Sequence, residues 1–241
     1  MRLQHTAKVV SENEMAPKIA EPKKPLGVVA VCAGDGLKDV FKNLGVDGTI
    51  SGGQTMNPST QDIVEAVNKV PAETVFVLPN NKNIIMAAQQ ADALTPKNVV
   101  VIPSKTVPQG VTAMLSFNPE GSTEENREAM TESLGTVDTM QITYAARNSD
   151  FDGYSIHEGD YLAIYGSSLF GTSRDVKILL KALAEKVRDS GKEYITIYYG
   201  QDIKEKHAQK TADLFAEICP DADVNLLSGG QPVYYYMISA E

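Results

Sequence analysis

The apolar positions of this chain fall into short unbroken runs separated by stretches of helical period. Leu26 to Cys32 is a continuous apolar run, the pattern of a strand buried on both faces. Ala33-Gly34-Asp35-Gly36 reads as a turn. Leu37, Val40, Phe41 and Leu44 then recur at helical spacing until Gly45 ends the helix. Gly48 to Ile50 begins a second strand. A helix follows from about Thr60, with Ile63, Val64 and Val67 on one face and a capping box from Ser59 to Asp62, aspartate standing for the usual glutamate. Thr74 to Leu78 is a third strand, Ile84, Ile85, Ala88 and Ala91 mark a helix, and Asn98 to Ile102 is a fourth strand. This β–α alternation predicts a parallel sheet covered by helices on both faces.

Beyond it, Val107 to Phe117 predicts a short helix packed on the sheet and Thr123 to Leu134 a polar helix. Asp138 to Ala145 alternates as a strand does. The turns Phe151-Asp152-Gly153 and Glu158-Gly159-Asp160 bracket a short strand, Tyr161 to Tyr165 is the next strand, and Gly166 to Arg174 reads as a glycine- and serine-rich loop. Val176 to Arg188 is an amphipathic helix, Tyr194 to Tyr199 a strand, Lys204 to Ile218 a helix, and Val224 to Leu227 and Tyr234 to Ser239 are strands. The order strand, glycine turn, helix, strand, Ser-Gly-Gly-Gln occupies Leu26 to Gln54 and recurs from Tyr194 to Gln231. The expected fold is therefore α/β, with two related lobes built on mainly parallel sheets flanked by helices. The expected divisions are 1–25, the end of an upstream domain and a linker, then an N-terminal lobe over 26–147 and a C-terminal lobe over 148–241.

Composition narrows the classes. The 241 residues are 42% apolar, enough for one large domain or two compact lobes. A formal charge of −9 argues against nucleic acid and anionic membrane surfaces as partners. No apolar run has the length of a membrane span, and the start of the chain lacks the apolar core of a signal peptide. Cys32 and Cys219 form neither a disulfide framework nor a metal-ligand spacing, so a cytoplasmic location is the expectation. Ser11 to Pro25, rich in Glu, Lys, Pro and Ala, reads as a linker to something upstream or as an N-terminal tail.

Candidate chemistry collects at the strand ends. Ser51-Gly52-Gly53-Gln54-Thr55, with Asn57 and Ser59 after it, joins a strand to a helix N-terminus, where free backbone N–H groups suit an anion. Phosphate, carboxylate or a partner's carbonyl would fit, and so would a plain capped turn. The glycine spacing matches neither a P-loop nor a dinucleotide fingerprint. Asn80, Asn81, Lys82 and Asn83 also leave a strand and open a helix, at the same sheet edge, and read as a polar recognition site. Leu169-Phe170 in the Gly166–Arg174 segment suits protein contact, and Arg174 either neutralises a bound anion or is solvated. Ser228, Gly229, Gly230 and Gln231 repeat the first tetrapeptide. His5, His157 and His207 stand in no triad arrangement.

Three stretches together, Ser-Gly-Gly-Gln-Thr-Met-Asn-Pro-Ser-Thr (51–60), Leu-Pro-Asn-Asn-Lys-Asn (78–83) and Ser-Gly-Gly-Gln-Pro-Val-Tyr (228–234), resemble the C-terminal region of the bacterial fatty acid kinase A subunit, the YloV or dihydroxyacetone-kinase-like family. The resemblance covers the chain from about residue 26, and Met1 to Thr6 resembles the end of that family's middle domain. It implies a fold similar to DegV proteins and to the substrate domain of dihydroxyacetone kinase. It also implies an upstream kinase domain, which would hold the ATP and magnesium; no catalytic residue, cofactor or metal is expected in this chain. The family enzyme phosphorylates a fatty acid carried by a DegV-type B subunit, yielding acyl phosphate for phospholipid synthesis. The implied role here is docking of that B subunit, with the upstream kinase and middle domains as further partners and a homodimer as a further possibility. A DegV-type module binding a fatty acid or a phosphorylated small molecule is the alternative reading, and a dihydroxyacetone-kinase-like substrate domain a second. DegV proteins hold the lipid carboxylate with a Thr-Ser-Gln-Pro-Ser-type segment. Ser51 to Ser59 is similar to it but departs at the inserted glycines and at Met56-Asn57.

Overall fold

A computed structural model describes residues 19–53, 57–151 and 153–241. Gln54, Thr55 and Met56, the segment before Ile19, and Asp152 lie outside the described residues. With them lie two of the expected site residues, Gln54 and Thr55, and the expected end of a middle domain.

The first half follows the expected alternation. Strand β1 (Lys24–Cys32) leads through α1 (Asp35–Asn43) to β2 (Gly48–Ser51), and α2 (Thr60–Lys69) leads to β3 (Ala72–Leu78). After α3 (Ile85–Ala91) and a short 3-10 turn comes β4 (Asn98–Val101). These four strands form one parallel sheet in the order β2-β1-β3-β4. Because both faces are covered, β1 is buried from Leu26 to Cys32. Val29, Val31, Val75 and Val77 pack against Ile63, Val64 and Val67 of α2 on one face. Leu26, Val28, Phe76 and Leu78 pack on the other, where Leu37 and Phe41 of α1 meet Ala113 and Met114 of α4 (Val107–Leu115). Helix α5 (Thr123–Ser133) adds Met130 to that cluster.

The expected linker ends earlier than residue 25. β1 begins at Lys24, and Ala20 and Lys23 already donate backbone hydrogen bonds to Asn68 and Pro71 at 2.8 and 2.9 Å. Lys24 and Pro25 lack apolar character, which hid the strand's first residues.

The second half is α/β but its sheet is mixed. Its elements are β5 (Asp138–Tyr144), a hairpin of β6 (Ser149–Phe151) and β7 (Tyr154–Ile156), β8 (Tyr161–Tyr165), β9 (Ser168–Ser173), α6 (Val176–Ser190), β10 (Tyr194–Tyr199), α7 (Glu205–Ile218), β11 (Asp223–Ser228) and β12 (Tyr236–Ala240). Six strands pair in the order β11-β10-β12-β5-β8-β9. Only β10 and β11 run parallel; the other four pairings are antiparallel, so the expected parallel sheet is confined here to one βαβ unit. The residue 147/148 boundary falls within this sheet. β5, which precedes it, pairs with β12 and β8, so sheet membership changes before Asp138.

The segment Gly166 to Arg174 is not a loop. Tyr165 pairs with Ser168 and Tyr161 with Ser173, leaving Gly166 and Ser167 as a two-residue hairpin turn with Gly166 at φ 60°. Serine and glycine content masked a strand whose turn signal, Gly-Ser between two apolar runs, was present.

The internal repeat is a true structural equivalence. Ser51 pairs with Cys32, and Ser228 pairs with Tyr199, the partner in each case being the last residue of the first strand of its βαβ unit. The glycine after each serine then donates its N–H back to that residue's carbonyl, Gly52 to Cys32 at 3.3 Å and Gly229 to Tyr199 at 3.0 Å.

Candidate functional site

All four strands of the first sheet end at one edge, and the second sheet faces that edge. Between them lies a cavity of about 610 Å³. Its first wall comes from strand ends: Cys32 and Ala33 after β1, Ser51 to Gly53 after β2, Pro79 to Ile84 after β3, Lys105 to Val107 and Gln109 after β4. The opposing wall is Asp138, Thr139 and Gln141 of β5, Ile164 and Tyr165 of β8, and Met237 of β12. Gln231 to Tyr234 crosses one side as a strap. The carboxyl edge of a parallel sheet is where ligands of α/β folds bind, because successive loops converge there.

The strand-end residues divide into fold-holding and free groups. Asn80, at φ 54°, donates its N–H to Ser104 Oγ at 3.0 Å and receives the Ser104 hydroxyl on Oδ1 at 2.7 Å. Its Nδ2 donates to the Val31 carbonyl at 2.9 Å, so one amide ties the ends of β1, β3 and β4. α4 approaches it closely: a Cβ on Gly110 would lie 2.1 Å from Asn80 Oδ1. Asn81 Oδ1 accepts the Asn83 N–H at 2.9 Å, a local turn. Both amides are buried, whereas Lys82 and Asn83 are exposed at the cavity rim. Of the four residues expected to form a recognition site at 80–83, only Lys82 and Asn83 are exposed.

The two Ser-Gly-Gly-Gln turns differ in surroundings. Ser51, Gly52 and Gly53 border the open cavity. The start of α1 packs against the second turn and buries Gly229, while Ser228 stays exposed: Leu37 N donates to the Gly229 carbonyl at 3.1 Å, and a Cβ on Gly36 would lie 1.7 Å from the Ser228 carbonyl oxygen. Gln231 is 2% exposed, with Nε2 donating to the Tyr198 carbonyl at 2.9 Å and Oε1 without a hydrogen-bond partner. Asn57 is exposed and is not part of the cavity lining. Ser59 caps α2 through the expected box, its hydroxyl accepting the Asp62 N–H at 3.1 Å and its N–H donating to Asp62 Oδ2 at 2.8 Å.

Three expected site residues lie elsewhere. Leu169 and Phe170 are half-buried in β9, and Phe170 packs on the Tyr165 ring at 6.4 Å between centroids. Strand pairing turns both side chains toward the sheet faces, so they do not form the exposed pair expected from a loop. Arg174 is 85% exposed and sits 3.5 Å from Asp160, a surface ion pair before the Asp175 cap of α6 rather than part of an anion cradle.

Several cavity residues carried no local signal. Thr106, Thr139, Gln141 and Tyr165 meet there because two sheets face each other. The Tyr165 hydroxyl donates to Asp138 Oδ2 at 2.8 Å, and burial followed by Asp138 pushes its phenol up to about 12, so it stays a donor at neutral pH. Cys32 is buried, which pushes its thiol up to about 12 and leaves it a packing residue rather than a nucleophile. Val233, at φ 71°, is with Asn80 one of two non-glycine residues at positive φ among the described residues, and both border the cavity. A β-branched residue there stores about 1–3 kcal/mol of strain, a feature that clusters at binding sites.

Comparison with known proteins places this geometry. The chain is 42% identical over 242 residues to protein YloV of Bacillus subtilis, covering 100% of this chain and 44% of that protein. It is 32% identical over 241 residues to an uncharacterized protein of Staphylococcus aureus, again covering 44% of it. The chain therefore spans less than half the length of the curated relatives it matches. Among solved structures, the DegV family protein Cg2579 of Corynebacterium glutamicum superposes with a TM-score of 0.63 at 14% identity, over 90% of this chain and 97% of that one. The Streptococcus pneumoniae Fatty Acid Kinase (Fak) B3 protein loaded with linoleic acid gives 0.60 at 13% identity, over 90% and 99%. The dihydroxyacetone kinase of C. freundii gives 0.56 at 10% identity, over 95% and 49%. The fold is thus that of DegV proteins, as expected. Residues 27–241 match the FakA-like C-terminal family, the C-terminal region of fatty acid kinase A subunits and their like, and the chain belongs to that family.

Proposed function

We propose that this chain is the region of a fatty acid kinase A-type subunit that docks the DegV-type, fatty-acid-carrying B subunit, so that a kinase domain elsewhere in the A subunit phosphorylates the carried acid for phospholipid synthesis. One observation carries the reading: a chain of the A-subunit family has the fold of a B-type carrier over nine-tenths of its length. We assign ATP and magnesium to the part of the A subunit outside this chain; the one carboxylate among the described residues that border the cavity, Asp138, is engaged by Tyr165. Lys82 and Asn83, beside exposed Met86, are the contact candidates retained from the sequence.

Mixing the chain with a DegV-type carrier from the same source in analytical ultracentrifugation should give a faster-sedimenting complex. Free sedimentation of both, when the full-length A subunit binds the same carrier preparation, would overturn the docking role.

A second reading is favoured by the cavity. At about 610 Å³ it falls in the range of about 300–1,000 Å³ typical of small-molecule sites, and it is not filled by side chains. In this reading the chain holds a fatty acid or phosphorylated ligand itself.

A further inference from the structure

Three tyrosines stand in a row at Tyr234-Tyr235-Tyr236, and the second sheet sorts them. Tyr236 begins β12 and is buried, its hydroxyl accepting from Thr211 at 3.1 Å. Tyr235 instead joins Tyr161 and Tyr144 in a cluster that reaches the surface. Its ring centroid lies 5.4 Å from that of Tyr161, with 61° between the planes, and 6.0 Å from that of Tyr144, with 49°. Tyr144 ends β5 and Tyr161 opens β8 directly opposite it, so both side chains leave the same face of the ladder. None of the three borders the cavity.

The cluster is held from below and open above. Tyr161 and Tyr235 are half-buried against the core of the second sheet, whereas Tyr144 is 45% exposed. Rings fixed in this way lose little freedom when a partner packs on them. The hydroxyls of Tyr154, Tyr165 and Tyr236 are each hydrogen-bonded within the molecule, while those of Tyr144, Tyr161 and Tyr235 meet no described partner. Burial, and after it the Tyr161 phenol and the Asp202 carboxylate, push the Tyr235 phenol up, so it stays neutral. Asp202 itself is exposed in the turn after β10 and forms no salt bridge with any described residue.

An unpaired carboxylate beside aromatic faces, in a chain of formal charge −9, puts negative potential on an apolar surface. Its complement is a cation with a flat, weakly hydrated face. A guanidinium stacks on aromatic rings, forks onto a carboxylate and sheds water more readily than an ammonium. The ladder of β5 and β8 also continues past the cluster, Ala145 N donating to the Asp160 carbonyl at 2.8 Å, into the β6–β7 hairpin with its exposed Phe151 and Tyr154. That aromatic surface is longer than one small cation covers and suits a protein that presents the guanidinium.

We infer that Tyr144, Tyr161 and Tyr235, with Asp202, receive an arginine of the DegV-type carrier, its guanidinium stacking on the exposed rings and donating to the Asp202 carboxylate. This inference rests on the docking reading above and names a contact surface for it.

The test is calorimetric titration of a DegV-type carrier from the same source with the 241-residue chain and with its Tyr144→Ser, Asp202→Lys and Leu94→Ser variants. Tyr144→Ser and Asp202→Lys should each raise Kd by about tenfold. Leu94→Ser, an exposed apolar position of the first half, should leave Kd unchanged. All three variants should keep the parent's melting temperature, because the side chains are exposed. Phenylglyoxal, which modifies arginine, should find a carrier arginine shielded by the parent chain and not by Asp202→Lys, read by mass spectrometry. An unchanged Kd in both Tyr144→Ser and Asp202→Lys overturns the contact surface and leaves docking intact. A raised Kd with no arginine shielded by the parent overturns the guanidinium as the group received. Failure of the parent chain to bind a carrier that the full-length A subunit binds overturns the docking reading as well.

Discussion

At Gly36 a single missing methyl group decides how the two halves meet. Any Cβ there would stand 1.7 Å from the Ser228 carbonyl oxygen, a backbone atom that cannot swing aside. Gly36→Ala should therefore lower stability by about 3 kcal/mol, the upper end of the overpacking range. Gly48, where the nearest atom to a built Cβ is 3.9 Å away, is the control, and Gly48→Ala should be neutral or slightly stabilising. Urea denaturation of the two variants checks both. The turn at Gly34 to Gly36 was legible in the sequence as a helix entrance, but its neighbour, some 190 residues further on, was not. Asn80 shows the same limit. An Asn-Asn-Lys-Asn run reads as recognition because amides bind ligands, yet Asn80 and Asn81 are satisfied by Ser104, Val31 and Asn83. Only the partners, not the residue type, separate a clamp from a site.

The elements show which signals are local. Helix starts are, because a cap needs residues only three apart. Ser59–Asp62 and Ser122–Glu125 both form capping boxes, and the first was readable from spacing. Ser59→Ala and Ser122→Ala should each cost about 1 kcal/mol and add in the double variant, since α2 and α5 pack into separate clusters. The serines also hold the acids below their ordinary range, Asp62 mainly through the Ser59 hydroxyl and Glu125 mainly through the Ser122 N–H. A carboxyl whose folded pKa lies below its unfolded one contributes stability above the unfolded value and loses it as pH falls through the folded one. The stability gap between the parent and Ser59→Ala should accordingly narrow as pH drops below the ordinary Asp value of 3.8, measured by thermal unfolding across that range. Strand β9 marks the opposite case. Its pairing partner β8 settles it as a strand against a composition that argues for a loop.

For the whole molecule, the shared core matters most. Leu26, Val28 and Phe76 of the first sheet cluster with Tyr198 and Met237 of the second, and Thr106 bonds Thr139 across the join at 2.9 Å. The two halves should unfold together, so far-ultraviolet and near-ultraviolet circular dichroism should report one coincident urea transition. Two separated transitions would show that the halves fold as independent units.

The sequence by itself determined the β–α alternation of the first half, most helix and strand spans, and the kinship of the two Ser-Gly-Gly-Gln units. These rest on periodicity, caps and turns, which act over a few residues. The tertiary structure alone decided that the second sheet is mostly antiparallel, that β5 belongs to it, and that the first tetrapeptide borders the cavity through Ser51 to Gly53 whereas its copy, packed against Gly34 to Gly36, reaches the cavity through Gln231. Strand direction and cavity walls depend on contacts between distant segments, and no local pattern encodes which carbonyl will stand opposite a given glycine.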